Sequence, residues 1–109
     1  MSVLYAMNYV GQTGVGGGCM YVGNGKIVGM DAGAGRYNGT YSEQNGQLTL
    51  NVTLTMAANG VLVTGQSAPK GTKLNLTATW PKDFANGQPQ SIMVAGHPVK
   101  VAFEKVGDI

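Results

Sequence analysis

Gln47-Leu48-Thr49-Leu50-Asn51-Val52-Thr53-Leu54-Thr55-Met56 alternates between polar and apolar residues without a break. A period of two marks a strand with one face in a core and the other in water, because successive side chains leave the backbone on opposite sides. Leu48, Leu50, Val52, Leu54 and Met56 therefore point one way and their polar neighbours the other. The same rhythm recurs downstream. Leu74, Leu76, Ala78 and Trp80 share a face, and Val99, Val101 and Phe103 form a third inward row opposite Lys100 and Glu104. No apolar stripe at helical spacing runs longer than a turn, so the chain is predicted to be all-β.

Asn-Gly pairs punctuate these runs at 24–25, 38–39, 45–46, 59–60 and 86–87. This dipeptide accepts positive φ at both central positions of a two-residue hairpin turn. The spacing predicts about eight strands, near 3–10, 17–23, 26–31, 36–43, 47–57, 60–65, 72–80 and 98–106, with a short extra one near 90–94. Short connections favour antiparallel neighbours in sequence order. Such strands lose their exposed edges by closing into a small up-and-down, lipocalin-like β-barrel, with a two-sheet sandwich as the alternative. The interior of a barrel this size holds its own side chains or one small ligand. Glycines inside strands, such as Gly29 and Gly39, fit the bends that closure requires.

Composition narrows the function. A length of 109 residues supports one domain over 1–109. Charged residues are 11% of the chain, against about 25% in an average protein. The net charge of +2 comes from scattered cations and makes no phosphate-tracking stripe, which argues against a nucleic-acid partner. Cys19 is the single cysteine, so neither an intrachain disulfide nor a thiolate zinc site is expected, and a reducing cytoplasm is the expected compartment. No run approaches the roughly 20 apolar residues of a membrane-spanning helix, and the start of the chain lacks the marks of a signal peptide.

Catalytic patterns are weak. Gly14-Val15-Gly16-Gly17-Gly18 lacks the helix that a phosphate loop needs after it, and it reads as a flexible hairpin connection. Gly33-Ala34-Gly35 reads as a loop between strands. His97 lies in the turn Gly96-His97-Pro98, and a Cys19–His97 dyad would lack an orienting third group. The five carboxylates show no spacing for acid–base or metal chemistry. Asp31 reads as the side-chain cap of a turn. No enzyme activity, metal or cofactor is expected.

Two sets of residues are candidates for binding. If the barrel is hollow, the inward Leu50, Val52, Leu54, Leu76, Trp80 and Phe103 line its cavity. The first strand is apolar on both faces, with Val3, Tyr5, Met7 and Tyr9 on one and Leu4, Ala6 and Val10 on the other. A strand of that kind is buried on both sides, and in a barrel its outer face needs a cover. Leu4, Ala6 and Val10 are therefore expected to form a homodimer interface, with cover by the chain's own 65–71 loop or C-terminal residues as the alternative.

Three segments also carry a likeness: Gly16 to Met20, Asn24-Gly25-Lys26-Ile27-Val28-Gly29-Met30-Asp31, and Tyr37-Asn38-Gly39-Thr40-Tyr41. Their glycine-rich first turn, Asn-Gly, Gly-x-Asp and aromatic-x-Gly order resembles the GrlR-type family of small bacterial β-barrel proteins, named for a negative regulator of a type III secretion locus. The resemblance covers residues 3–57. It implies a lipocalin-like, dimeric barrel that acts by binding a protein partner. After Tyr41-Ser42-Glu43 the chain departs from such regulators, with a neutral Gln44-Asn45-Gly46 tip where they continue with an acidic run. A regulator-like protein binder and a carrier of a small apolar ligand are the two functions to be weighed.

Overall fold

The computed structural model describes residues 2–11 and 14–109. In chain order the strands are β1 Ser2–Val10, β2 Val15–Gly23, β3 Lys26–Asp31, β4 Gly35–Gln44, β5 Gln47–Met56, β6 Gly60–Val61, β7 Ser67–Ala68, β8 Lys73–Pro81, β9 Gln90–Val94 and β10 His97–Asp108. Among the described residues, eight strands form one antiparallel sheet in the order β8-β5-β4-β3-β2-β1-β10-β9, and β6 and β7 form a separate two-stranded ribbon. The outermost strands, β8 and β9, pack side by side. There the Trp80 indole N–H donates to the Ser91 carbonyl at 3.1 Å. The sheet thus curls into a nearly closed barrel, not a sandwich. No helix among the described residues is long and apolar enough to cross a membrane, which says nothing of strands.

Local chemistry explains the turns. Asn24 and Gly25 have φ of 53° and 77°, and Asn45 and Gly46 have 55° and 76°, so both pairs make the two-residue turns that the sequence suggests. Asn38-Gly39 does not. Gly39 lies in the middle of β4, facing Ile27 on one side and Val52 on the other. A Cβ there would stand 2.2 Å from the Asn51 carbonyl oxygen, so this glycine permits a close strand approach instead of a turn. Ala95 and Gly96, with φ of 49° and 83°, make the β9–β10 hairpin without an asparagine.

Two readings from sequence need correction. The run at 60–65 is not a barrel strand: only Gly60–Val61 pairs, and it pairs with Ser67–Ala68. The eighth strand is β9, which the sequence offers only as a short extra. The physical reason lies at the end of β5. Backbone bonds Met56 N–Thr72 O and Gly71 N–Met56 O, both 2.9 Å, return the chain to its starting point, so 57–72 folds into a cap and not along the wall. The second correction concerns Gly16, Gly17 and Gly18. They lie within β2, opposite Tyr9, Asn8 and Met7, and are not a hairpin connection. Residues 12 and 13 of the expected connection lie outside the described residues.

The inward faces meet as predicted. Leu48, Leu50, Val52, Leu54, Leu76, Trp80, Val99, Val101 and Phe103 are all buried and belong to one core with Ile27, Met7 and Met20.

Candidate functional site

The core divides along the barrel axis. At one end four aromatic rings close the interior. Phe84 sits 5.0 Å from Tyr5, 5.6 Å from Trp80 and 5.1 Å from Phe103, between ring centroids. Tilted and edge-on packing of this kind suits the quadrupoles of the rings. Phe84 reaches this place from the turn after β8, where its amide donates to the Pro81 carbonyl at 3.0 Å.

Toward the other end the interior is hollow. A cavity of about 110 Å³ lies between β5, β8, β9 and β10 on one side and β1 and β2 on the other. Leu50, Val52, Leu54, Leu76, Trp80 and Phe103 all line it. The β6–β7 cap covers its mouth with Leu62 and Val63, both half-buried, and with Val61 at the rim. The cap is held by Ala57 N to Ala34 O at 2.8 Å and by Lys70 N to the Asn59 side-chain oxygen at 2.8 Å.

One polar group reaches this apolar space. Asp31 ends β3, points inward and is only 7% exposed. Its Oδ1 accepts the backbone N–H groups of Gly33 and Gly35, each at 2.9 Å. The expected turn cap is therefore present. The hydroxyl of Tyr37 donates to Oδ2 at 2.5 Å. Tyr9 lines the same space, close enough for the Asp31 carboxylate to act on its phenol. Burial, followed by the neighbouring carboxylate, pushes both phenols well above their ordinary value of 10.0. Both therefore stay protonated, and Tyr37 serves as a donor to Asp31.

Sequence reasoning missed Tyr9 and Tyr37 as members of this group. Tyr37 opposes Gly29 across β3–β4, and Tyr9 opposes Gly16 across β1–β2. Both therefore pair with glycines on the inner wall, and the Tyr9 ring lies over Gly16. The available signal was an inward tyrosine opposite a glycine, and it becomes readable only once the register is known.

The dyad residues stay apart. Cys19 lies on the outer face of β2, and His97 opens β10 opposite Val94, with β1 between the two strands. The first-strand residues come together with others. Leu4 stands opposite Tyr21, Ala6 opposite Cys19 and Val10 opposite Val15. Tyr21 and Cys19 in turn oppose Val28 and Met30 on β3. Leu4 and Ala6 are half-buried, while Val10 is 54% exposed and Val28 and Met30 are each 46% exposed. The outer wall over β1–β3 is thus an apolar strip wider than the sequence suggested. Compared with known proteins, the chain matches no family model, no curated relative and no solved structure.

Proposed function

We propose that this protein is a non-enzymatic binding barrel that holds a small, largely apolar molecule in its interior. The cavity of about 110 Å³ carries this reading. An apolar cavity of roughly 150 Å³ stays dry and takes up benzene, so the occupant here is of about that size or smaller. The neutral Gln44-Asn45-Gly46 tip favours the carrier over a regulator that recruits a basic protein.

The test uses Met7, Met20 and Met56, whose side chains line the cavity, with the exposed Met30 and Met93 as internal controls. Benzene or cyclopentane added to protein with labelled methionine methyls should shift the first three signals and leave the other two in place. Unmoved signals at saturating hydrocarbon would defeat the carrier reading.

A second reading is favoured by the strip over β1–β3: a protein-binding module, as the GrlR-type resemblance implies, whose first partner is a second copy of itself. One transverse row across the outer wall runs Glu104, Ala6, Cys19, Met30, Arg36. A two-fold axis along the strands would set Glu104 against the Arg36 of the second copy and bury the apolar middle against itself. In this reading the protein works in the cytoplasm, without nucleic acid or membrane. Light scattering should then give twice the 11.3 kDa chain mass, falling to one chain in Leu4→Glu. Cys19 should resist maleimide in the native protein and react in that variant. A monomeric native chain with reactive Cys19 would remove the interface.

A further inference from the structure

We propose that the interior ligand carries an amine, seated as an ammonium group against Asp31, Tyr9 and Tyr37 with its apolar tail in the cavity. This rests on the reading that the barrel holds a ligand at all. Three observations point to that head group.

The first is charge. Asp31 is almost fully buried at the edge of an otherwise apolar space. Among the described residues the ion pairs are Lys82–Glu43 and Lys105–Asp108, both at the surface, and no cationic side chain reaches Asp31. Its hydrogen bonds offset the loss of water, yet the negative charge itself stays unopposed in surroundings that screen it weakly. A cation is the natural occupant beside it, and an anion is repelled.

The second is the direction of the hydrogen bonds. The Tyr37 hydroxyl donates to Asp31, and Tyr9 lines the same space. The Trp80 indole N–H is committed to the Ser91 carbonyl. The Tyr37 and Trp80 donors are therefore already spent, while oxygen lone pairs on Asp31, Tyr9 and Tyr37 remain. A site of acceptors selects a ligand of donors, and an ammonium brings three N–H groups where an alcohol brings one.

The third is size and donor set. About 110 Å³ admits a chain of a few carbons beyond the head group. One carboxylate and two phenols do not supply the six to eight oxygens that calcium takes, nor the octahedron that magnesium demands. An organic cation suits the site better than a metal.

The experiment titrates native protein with n-butylamine, 1-butanol, butyrate and n-pentane, following the Met7, Met20 and Met56 methyl signals. Charge-assisted hydrogen bonds are roughly twice as strong as neutral ones, so butylamine should bind about tenfold more tightly than 1-butanol, and butyrate should not bind. Asp31→Asn should collapse the amine-to-alcohol ratio to about one. Should Asp31→Asn fail to fold, the butylamine-to-butanol ratio of the native protein decides alone, and a ratio of one or less overturns the amine. If 1-butanol or pentane matches or exceeds butylamine, the amine inference falls while the carrier reading stands. If none of the four moves the methyl signals, the carrier reading falls first.

Discussion

The two ends of the barrel are made from the same strands and behave as different materials. One end is filled by Tyr5, Trp80, Phe84 and Phe103, rings in contact with rings. The other has glycines on its inner wall, a polar knot at Asp31 and a short two-stranded cap over a void. The plug at the filled end is a single aromatic side chain on a short turn, driven inward by the area it buries. The cap at the hollow end is a longer excursion tied down mainly by backbone hydrogen bonds at its base. Inside the barrel, ring packing is concentrated at the first end and enclosed room at the second, while a more open hollow of about 150 Å³ lies outside the rings among Tyr5, Tyr41, Leu48 and Phe84.

Truncating the plug should give the largest effect. Phe84→Ala removes a side chain that is 2% exposed and touches three other rings, and should cost about 3–5 kcal/mol in urea unfolding. Leu62→Ala in the half-buried cap should cost clearly less, because its side chain already borders empty space. Equal costs would mean that the two ends do not differ mechanically.

The polar knot is the next test. Tyr37→Phe leaves Asp31 Oδ2 without its closest donor. The penalty for an under-satisfied buried acceptor is about 1–3 kcal/mol. A loss below a few tenths would show that Tyr9 alone suffices.

Alkali should act on the hollow end in particular. In the unfolded chain both phenols ionise near their ordinary value of 10.0, whereas the folded chain holds Tyr9 and Tyr37 protonated to higher pH. Their contribution is complete below pH 10 and declines as pH rises above it through the raised folded values. Denaturation midpoints measured between neutral pH and strong alkali should fall steeply in native protein. The fall should be shallower in the Tyr9→Phe/Tyr37→Phe variant. Parallel slopes would separate these residues from the alkaline loss.

The smallest effect sharpens the contrast by its sign. Val52→Ile adds one methylene toward the cavity and should stabilise by up to about 0.8 kcal/mol. Ile27→Phe adds bulk at a fully buried wall position that borders no hollow and should destabilise by about 1–3 kcal/mol. Chemical denaturation of the pair reads both signs directly.

The filled walls were legible in the sequence because period-two alternation depends only on neighbouring residues. β3 matches its expected limits at Lys26–Asp31, and β5 ends one residue early at Met56. The cap was misread as a strand because Val61-Leu62-Val63 is apolar and flanked by β-branched valines, and composition alone does not say whether such residues join a wall or cover its mouth. The expected lining residues were found for the same local reason as the walls. Asp31 was legible as a turn cap, since its partners Gly33 and Gly35 lie within four residues. Its meeting with Tyr9 was not, because 22 positions and a full strand separate them, and only the pairing register of β1, β2 and β3 brings them together.

The seam between β1 and β10 has its own consequence for how the molecule is made. Val3 pairs with Asp108, and Val10 pairs with Lys100. β1 thus finds one of its two neighbours only after roughly ninety to a hundred further residues have been made. Until then β1 carries an open edge and a bare apolar flank. At roughly 5–20 residues per second that exposure lasts several seconds or more. Pairing of such distant segments is also slow once the chain is complete. Among the described strands β1 waits longest for a partner, and Lys100 and Glu104 on the closing strand place charge beside that edge once it is sealed.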